Sequence, residues 1–235
     1  MVTKKESKHV VESQEVCAKC DGTEFVMTDK GAVPCECVKT KNIIQKHQAA
    51  RIPTKYINKS INTFDKKMHG RKDVAARAQS FIKDYKPQGQ GLLMLGGVGV
   101  GKTHIAVAIL KEVIAKGHSG LYYNVIDLLR EIRATYNNDS AVSENDLVEM
   151  SQNVDLLVLD DLGAERTTMW VLDRLYDIIN KRYEEEKTII VTTNCMNSEE
   201  LLEKVGHRIT SRLREMCHKW ELPEGDYRKQ FMSDF

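Results

Sequence analysis

The run Gly96–Thr103, Gly-Gly-Val-Gly-Val-Gly-Lys-Thr, constrains this chain more than any other stretch. Leu92, Leu93, Met94 and Leu95 precede it and read as a buried strand. Ile105, Ala108, Ile109 and Val113 follow at helical spacing and predict a helix from Lys102 to about Lys116. Strand, glycine turn and helix in that order are the setting of a nucleotide-phosphate loop. Backbone N–H groups can wrap a triphosphate only where no Cβ intrudes, which accounts for Gly96, Gly97, Gly99 and Gly101. The helix behind the loop aims its unpaired N–H groups and positive end at the phosphates. The expected nucleotide contacts are Gly96, Gly97, Val98, Gly99, Val100, Gly101, Lys102, Thr103 and His104. Lys102 is expected on the β- and γ-phosphates and Thr103 on Mg²⁺.

A second landmark, Asp155–Asp161, is an apolar run closed by two acids. It predicts a central parallel strand whose C-terminal end meets the ligand. Asp160 is placed to hold Mg²⁺ and Asp161 to polarise an attacking water. Thr188–Asn194 reads as another buried strand, with Asn194 at its tip either on the γ-phosphate or water, or simply starting a turn. Further strands are expected at Gly120–Val125 and Cys217–Leu222. Helices are expected from Asp73 to Lys86, from Asp127, from Thr167 to Glu186 and from Ser198, the first, second and last capped by the named Asp73, Asp127 and Ser198. The helix after Asp127 buries Leu128, Leu129 and Ile132 and turns Arg130, Arg133 and Tyr136 outward. The segment Gly206–Glu215 is basic and helical. The fold class is therefore α/β, a parallel sheet flanked by helices.

Four of the six cysteines fall between residues 17 and 37. Cys17 and Cys20 are C-x2-C, and Cys35 and Cys37 are C-x-C. Four thiolates close a tetrahedral Zn²⁺ site and leave no position for water, so a structural ion is expected rather than a catalytic one. Two disulfides or plain reduced thiols are the other readings. Asp21-Gly22 and Lys30-Gly31 mark turns about Glu24–Met27 and suggest a hairpin hung on the metal.

From Val38 to Lys72 the chain is basic, with Asp65 its sole acid. It reads as a connector, either merely solvated or tracking phosphates or a partner. The division expected is 1–45 for the cysteine module, 46–72 for the linker and 73–235 for the nucleotide domain. Net charge is +1 over 235 residues, so a nucleic-acid surface must be local. No stretch approaches the ~18 apolar residues of a membrane span. Met1–His9 is charged, so neither a secretory signal nor a membrane partner is expected, and the location expected is the cytoplasm of a bacterium or phage-infected cell.

Gly96–Thr103, Leu156–Asp161 with Leu162-Gly163, Thr192-Thr193-Asn194 and Arg208–Arg214 together resemble the DnaC/DnaI family of AAA+ helicase loaders. The cysteine cluster and Arg51–Tyr56 are similar to the zinc-bearing members and their phage relatives. The resemblance implies ATP and ADP as ligands, with Mg²⁺ and Zn²⁺. It implies delivery of a hexameric DnaB-type replicative helicase onto single-stranded DNA, with the amino-terminal module gripping the helicase and the AAA+ domains self-associating in a spiral. By the same resemblance Arg212 is the arginine finger, with Arg208 and Arg214 as substitutes, and Arg228 is the sensor-two arginine. Arg130, Arg133 and Tyr136 become the DNA contacts. Two alternatives remain, an IstB-like transposition ATPase and a zinc adaptor that binds ATP without turning it over.

Overall fold

The computed structural model describes residues 17–28, 31–65, 70–136, 142–223 and 225. The chain divides into two units, Met1–Gln45 and Lys46–Phe235.

In the smaller unit, β1 (Phe25–Thr28) and β2 (Gly31–Pro34) form an antiparallel hairpin that pairs Phe25 with Pro34 and Met27 with Ala32. The helix α1 (Glu36–Ala49) starts inside the second cysteine pair and contains the unit boundary. The hairpin's apolar side chains do not make a core: Phe25, Met27 and Val33 are exposed. Among the described side chains of this unit only those of Cys20 and Cys35 are buried. Among the described side chains hydrophobic burial therefore contributes little, and the cysteine cluster is the feature of those residues placed to hold the unit.

The larger unit is built on β3 (Gly91–Leu95), β4 (Gly120–Asn124), β5 (Leu156–Asp160), β6 (Ile189–Thr192) and β7 (Cys217–Glu221). They form one parallel sheet in the order β4-β5-β6-β3-β7. The period of two shows directly. Leu92 and Met94 join the core on one face with α2 (Arg71–Asp84) and α3 (Lys102–Ala115). Leu93 and Leu95 join the core on the other face with α4 (Val125–Ala134), α6 (Met169–Glu184) and α7 (Ser198–Met216). α5 (Glu144–Asn153) packs on α6 and contributes Leu147 to that second core. Because both faces are covered, β3, β5 and β6 are buried at every position, as a parallel sheet requires. The helix after β3 lies on one face and the helix after β6 on the other. The chain reverses its winding between these neighbours, which opens a crevice beyond their C-terminal ends. Among the described residues, no helix is long and apolar enough to cross a membrane.

The reading of 46–72 as a connector needs revision. Ala50, Ile52, Ile61 and Phe64 are buried in the larger unit's core. Ala50 O accepts from Tyr122 N at 2.9 Å, extending the edge of β4. Arg51 grips both oxygens of Glu131 on α4, at 2.8 and 2.6 Å, and lies over the Tyr123 ring. Lys111 of α3 donates to Lys59 O at 2.9 Å and to Ile57 O. The stretch is thus a strap on the larger unit, with Lys46, Lys55 and Lys72 outward and Ala50, Ile52, Ile61, Phe64 and the guanidinium of Arg71 inward.

Three expected caps are also displaced. The N-caps of α2, α4 and α7 are Gly70, Asn124 and Asn197, not Asp73, Asp127 and Ser198. Asn124 accepts from Ile126 N and Asn197 from Glu200 N, the short reach a cap needs. Asp73 and Asp127 sit in the first turns, where their charge still favours the helix dipole.

The opposite end of the sheet is stapled by Arg182, which is fully buried. Its guanidinium donates to the carbonyls of Ser151, Gln152, Val154, Asp155 and Thr188, joining the end of α5 to the approaches of β5 and β6. Arg182→Met leaves those buried carbonyls short of donors. It is expected to cost about 3 kcal/mol in urea unfolding. ATP affinity of the folded fraction should not change, since the nucleotide crevice lies at the other end of the strands.

Candidate nucleotide site and cysteine cluster

The crevice is a cleft of about 730 Å³ floored by the glycine loop and the tips of β4, β5 and β6. Gly101 has φ +104°, and a Cβ there would lie 2.6 Å from Phe64 of the strap, so this position excludes side chains on two grounds. α3 begins at Lys102, directly behind it. Val98 is exposed at the loop's turn, whereas Val100 is buried in the core and anchors the loop from beneath.

Lys102 Nζ is nearly buried and donates to Gly96 O at 2.7 Å, Gly97 O at 2.8 Å and Asn194 Oδ1 at 2.8 Å. The amide of Asn194 turns its other end to Asp161, donating from Nδ2 to Oδ1 at 3.1 Å. Asn194 therefore couples the loop lysine to Asp161, the acid that follows β5. Asp161 sits at φ +62°, a sparsely used region for a residue with a side chain, and its N–H donates to Thr192 Oγ1 at 3.0 Å.

Asp160 is buried among hydroxyls. Thr103 donates to its Oδ1 at 2.9 Å, Thr192 to Oδ1 at 2.7 Å and Tyr122 to Oδ2 at 2.8 Å. Burial pushes the Asp160 carboxyl above the usual carboxylate range and the charge of Asp161 adds to this, while the three hydroxyls favour the ionised form. A carboxylate and a threonine hydroxyl in contact are the hard oxygen donors that suit Mg²⁺, so the residues fit that ion. The sequence reading gives Tyr122 and Thr192 no contact with Asp160, although Thr192 belongs to the Thr192-Thr193-Asn194 run singled out there. In the sequence they look like ordinary core positions of alternating strands.

The fit is poorer at His104. Its Nε2 lies 2.8 Å from Ser60 O and its ring meets Phe64 edge-on. Burial holds its pKa below the ordinary value. Its side chain lines the cleft but is committed to the strap. The strap in turn contributes Pro53, Lys55, Tyr56, Lys59 and Thr63 to the cleft wall, none of them expected there.

The remaining candidates lie elsewhere. Arg212 is on α7 against α6 and does not line this cleft. Arg228 lies outside the described residues. On the face read as a DNA contact, Arg130 pairs with Asp127 at 2.8 Å. Arg133 stacks on Trp170 of α6 at 4.5 Å, and Trp170 Nε1 donates to Tyr136 OH at 2.9 Å. Arg133 and Tyr136 thus flank a tryptophan that sequence spacing cannot connect to them.

In the smaller unit the sulfurs of Cys17, Cys20, Cys35 and Cys37 all lie within 4.8 Å of one another. Cys17 and Cys35 are 3.9 Å apart and Cys20 and Cys37 are 3.5 Å apart, and all are free thiols. A disulfide needs ~2.05 Å. A zinc tetrahedron with bonds of ~2.3 Å puts its sulfurs ~3.8 Å apart, so the cluster fits zinc. The Lys19 N–H lowers the Cys17 thiol to about 7, while burial raises Cys37 to about 12.

Comparison with known proteins agrees with this geometry. Residues 37–234 match the family described as IstB-like ATP binding protein. The DnaC replicative helicase loader of Escherichia coli K12 is 26% identical over 190 residues, covering 79% of this chain and 77% of that protein. A crystal structure of the DnaC helicase loader superposes with a TM-score of 0.67 at 29% identity, covering 73% of this chain and 100% of the other. A DnaI crystal structure gives 0.64 at 26% identity, covering 73% and 95%. The fold is that of the AAA+ phosphate-loop ATPases.

Proposed function

The chain belongs to the IstB-like ATP-binding family, and from that premise we propose that it is an ATP-dependent loader that places a hexameric DnaB-type replicative helicase on single-stranded DNA. The observation that carries the reading is the crevice network in which Asn194 joins Lys102 to Asp161 while Thr103 and Asp160 share a hydrogen bond. It sits in a chain similar to DnaC loaders over most of its length.

In this reading Lys102 holds the β- and γ-phosphates. Thr103 and Asp160 hold Mg²⁺, which when bound neutralises charge developing on the phosphates. Asp161 accepts the proton of the attacking water, and Asn194 keeps that carboxylate in line with the lysine. Arg212 reaches the ATP of a neighbouring copy in a self-associated spiral, and Arg228 attends the nucleotide of its own chain. Residues 1–45 form a zinc module that grips the helicase, and 73–235 together with the strap form the ATPase. Arg130, Arg133 and Tyr136 contact DNA, where exposed Tyr136 offers a ring for base stacking.

Asp161→Asn tests the chemistry. ATP affinity should stay within about twofold, because a carboxylate near phosphates does not assist binding. Hydrolysis with helicase and single-stranded DNA present should fall ~10²–10⁴-fold, the range for loss of a general base. Unchanged turnover would remove Asp161 from the mechanism. A wild-type protein that never turns over ATP would favour the zinc-adaptor reading. Capture of a transposase in place of a helicase would favour the transposition ATPase.

A further inference from the structure

Arg212 is held by three hydrogen bonds to neutral acceptors, where Arg51, Arg130 and Arg174 are held by acids. Its Nε donates to Asn180 Oδ1 at 2.6 Å, its Nη2 to Tyr176 OH at 2.7 Å and its Nη1 to Arg208 O at 3.1 Å. The guanidinium also lies 4.6 Å from the Tyr176 ring centre. Arg208 stacks on that ring at 3.7 Å, so one aromatic side chain braces two cations. Every one of these acceptors is neutral. By contrast Arg51 pairs with Glu131, Arg130 with Asp127, and Arg174 with Glu144 and Asp177. No ion pair to Arg212 occurs among the described residues. The acid three positions on, Glu215, is engaged by the Tyr183 hydroxyl.

The arrangement has a physical consequence. A guanidinium has five N–H donors in a fixed plane. Three of them are engaged here, one on each nitrogen. That fixes the plane and, among the described residues, leaves one N–H on each terminal nitrogen for the oxygens of a phosphoryl group. Neutral acceptors orient the group without cancelling its charge. A carboxylate in the same place would orient it and neutralise it together. Half-burial against α6 also removes most of the side-chain freedom that a free arginine would lose on engaging a ligand.

We infer that Tyr176 and Asn180 are positioning residues that present Arg212, charged and pre-oriented, to the ATP of an adjacent copy of this chain. The inference rests on the trans role of Arg212 set out above. Displacing a catalytic group by about an ångström costs ~10²-fold in rate. Loss of the two acceptors should therefore cost roughly that in turnover.

The test is a directional mixing experiment with helicase and single-stranded DNA present. Arg212→Ala keeps its own site but cannot donate the arginine. Asp161→Asn donates the arginine but has a dead site. A fixed amount of Arg212→Ala is titrated with excess Asp161→Asn, and turnover at saturation and the half-saturating concentration are both read. The pair Tyr176→Phe and Asn180→Ala is then placed on the donor chain or on the acceptor chain. On the donor it should lower saturating turnover ~10²-fold. On the acceptor, which has no Arg212 to hold, it should leave turnover unchanged. Equal losses from both sides would make the pair structural and overturn the inference. A shift confined to the half-saturating concentration would make it an assembly contact and overturn it equally. No recovery in the mixture without these substitutions would instead defeat the trans role itself, and the inference with it.

Discussion

Lys102→Ala is expected to abolish measurable ATP binding while the protein stays folded. The ammonium is nearly buried and reaches two loop carbonyls and Asn194. It is the cation that the loop directs into the crevice from within its own turn. A hydrogen bond to a charged group contributes about 1.5–3 kcal/mol. Removing the bonds to the β- and γ-phosphates together predicts at least ~10²-fold weaker binding. Truncation also frees Asn194, so the link to Asp161 goes with the hold on the phosphates. The fold should survive because Val100, Ile105 and Ile109 anchor the loop and helix beneath. Titration of a fluorescent ATP analogue, with circular dichroism as the folding control, measures both. Affinity within threefold of the wild type would show that the nucleotide sits elsewhere.

The second large effect is expected from the cysteine cluster. Cys20→Ser, or chelation of the metal, should unfold the smaller unit and abolish capture of the helicase, with ATP affinity unchanged. In that unit the hairpin leaves Phe25, Met27 and Val33 in solvent. The buried side chains among those described are Cys20 and Cys35. A structural zinc contributes about 10–16 kcal/mol to the folding of small zinc modules, more than the packing of the described side chains offers. Metal analysis of the wild type should give one zinc per chain. Limited proteolysis after chelation should cut before residue 46 and leave the larger unit intact. A chelated protein that still captures helicase would separate the cysteines from that role.

The phosphate loop, the acid-terminated strand and the order of strands and helices were legible because each has a local signature. Leu92–Leu95 alternates between two cores, and Gly101 must be glycine. What the sequence hid was set by contacts between distant segments. Ile52, Ile61 and Phe64 follow no helical or strand period, so a packed strap looked like a basic connector. Tyr122 resembled any alternating core residue, yet its hydroxyl is spent on Asp160. Trp170 joins Tyr136 across 34 residues and Arg133 across 37, and Tyr176 joins Arg212 across 36, distances at which periodicity says nothing. His104 lines the cleft as adjacency suggests, but its contact with Ser60 O of the strap, 44 residues away, has no local signature.

The proposed ATP-dependent helicase loading is tested most directly by retention of a DnaB-type hexamer on circular single-stranded DNA. A closed circle cannot be threaded, so a hexamer that survives a high-salt wash has been opened and closed around it. With this protein and ATP, retained helicase should rise well above the level given by helicase alone. Lys102→Ala and the zinc-stripped protein should both return it to that level. Retention that is the same with and without the protein, in conditions where it binds both ATP and the helicase, would show that it does not load helicase.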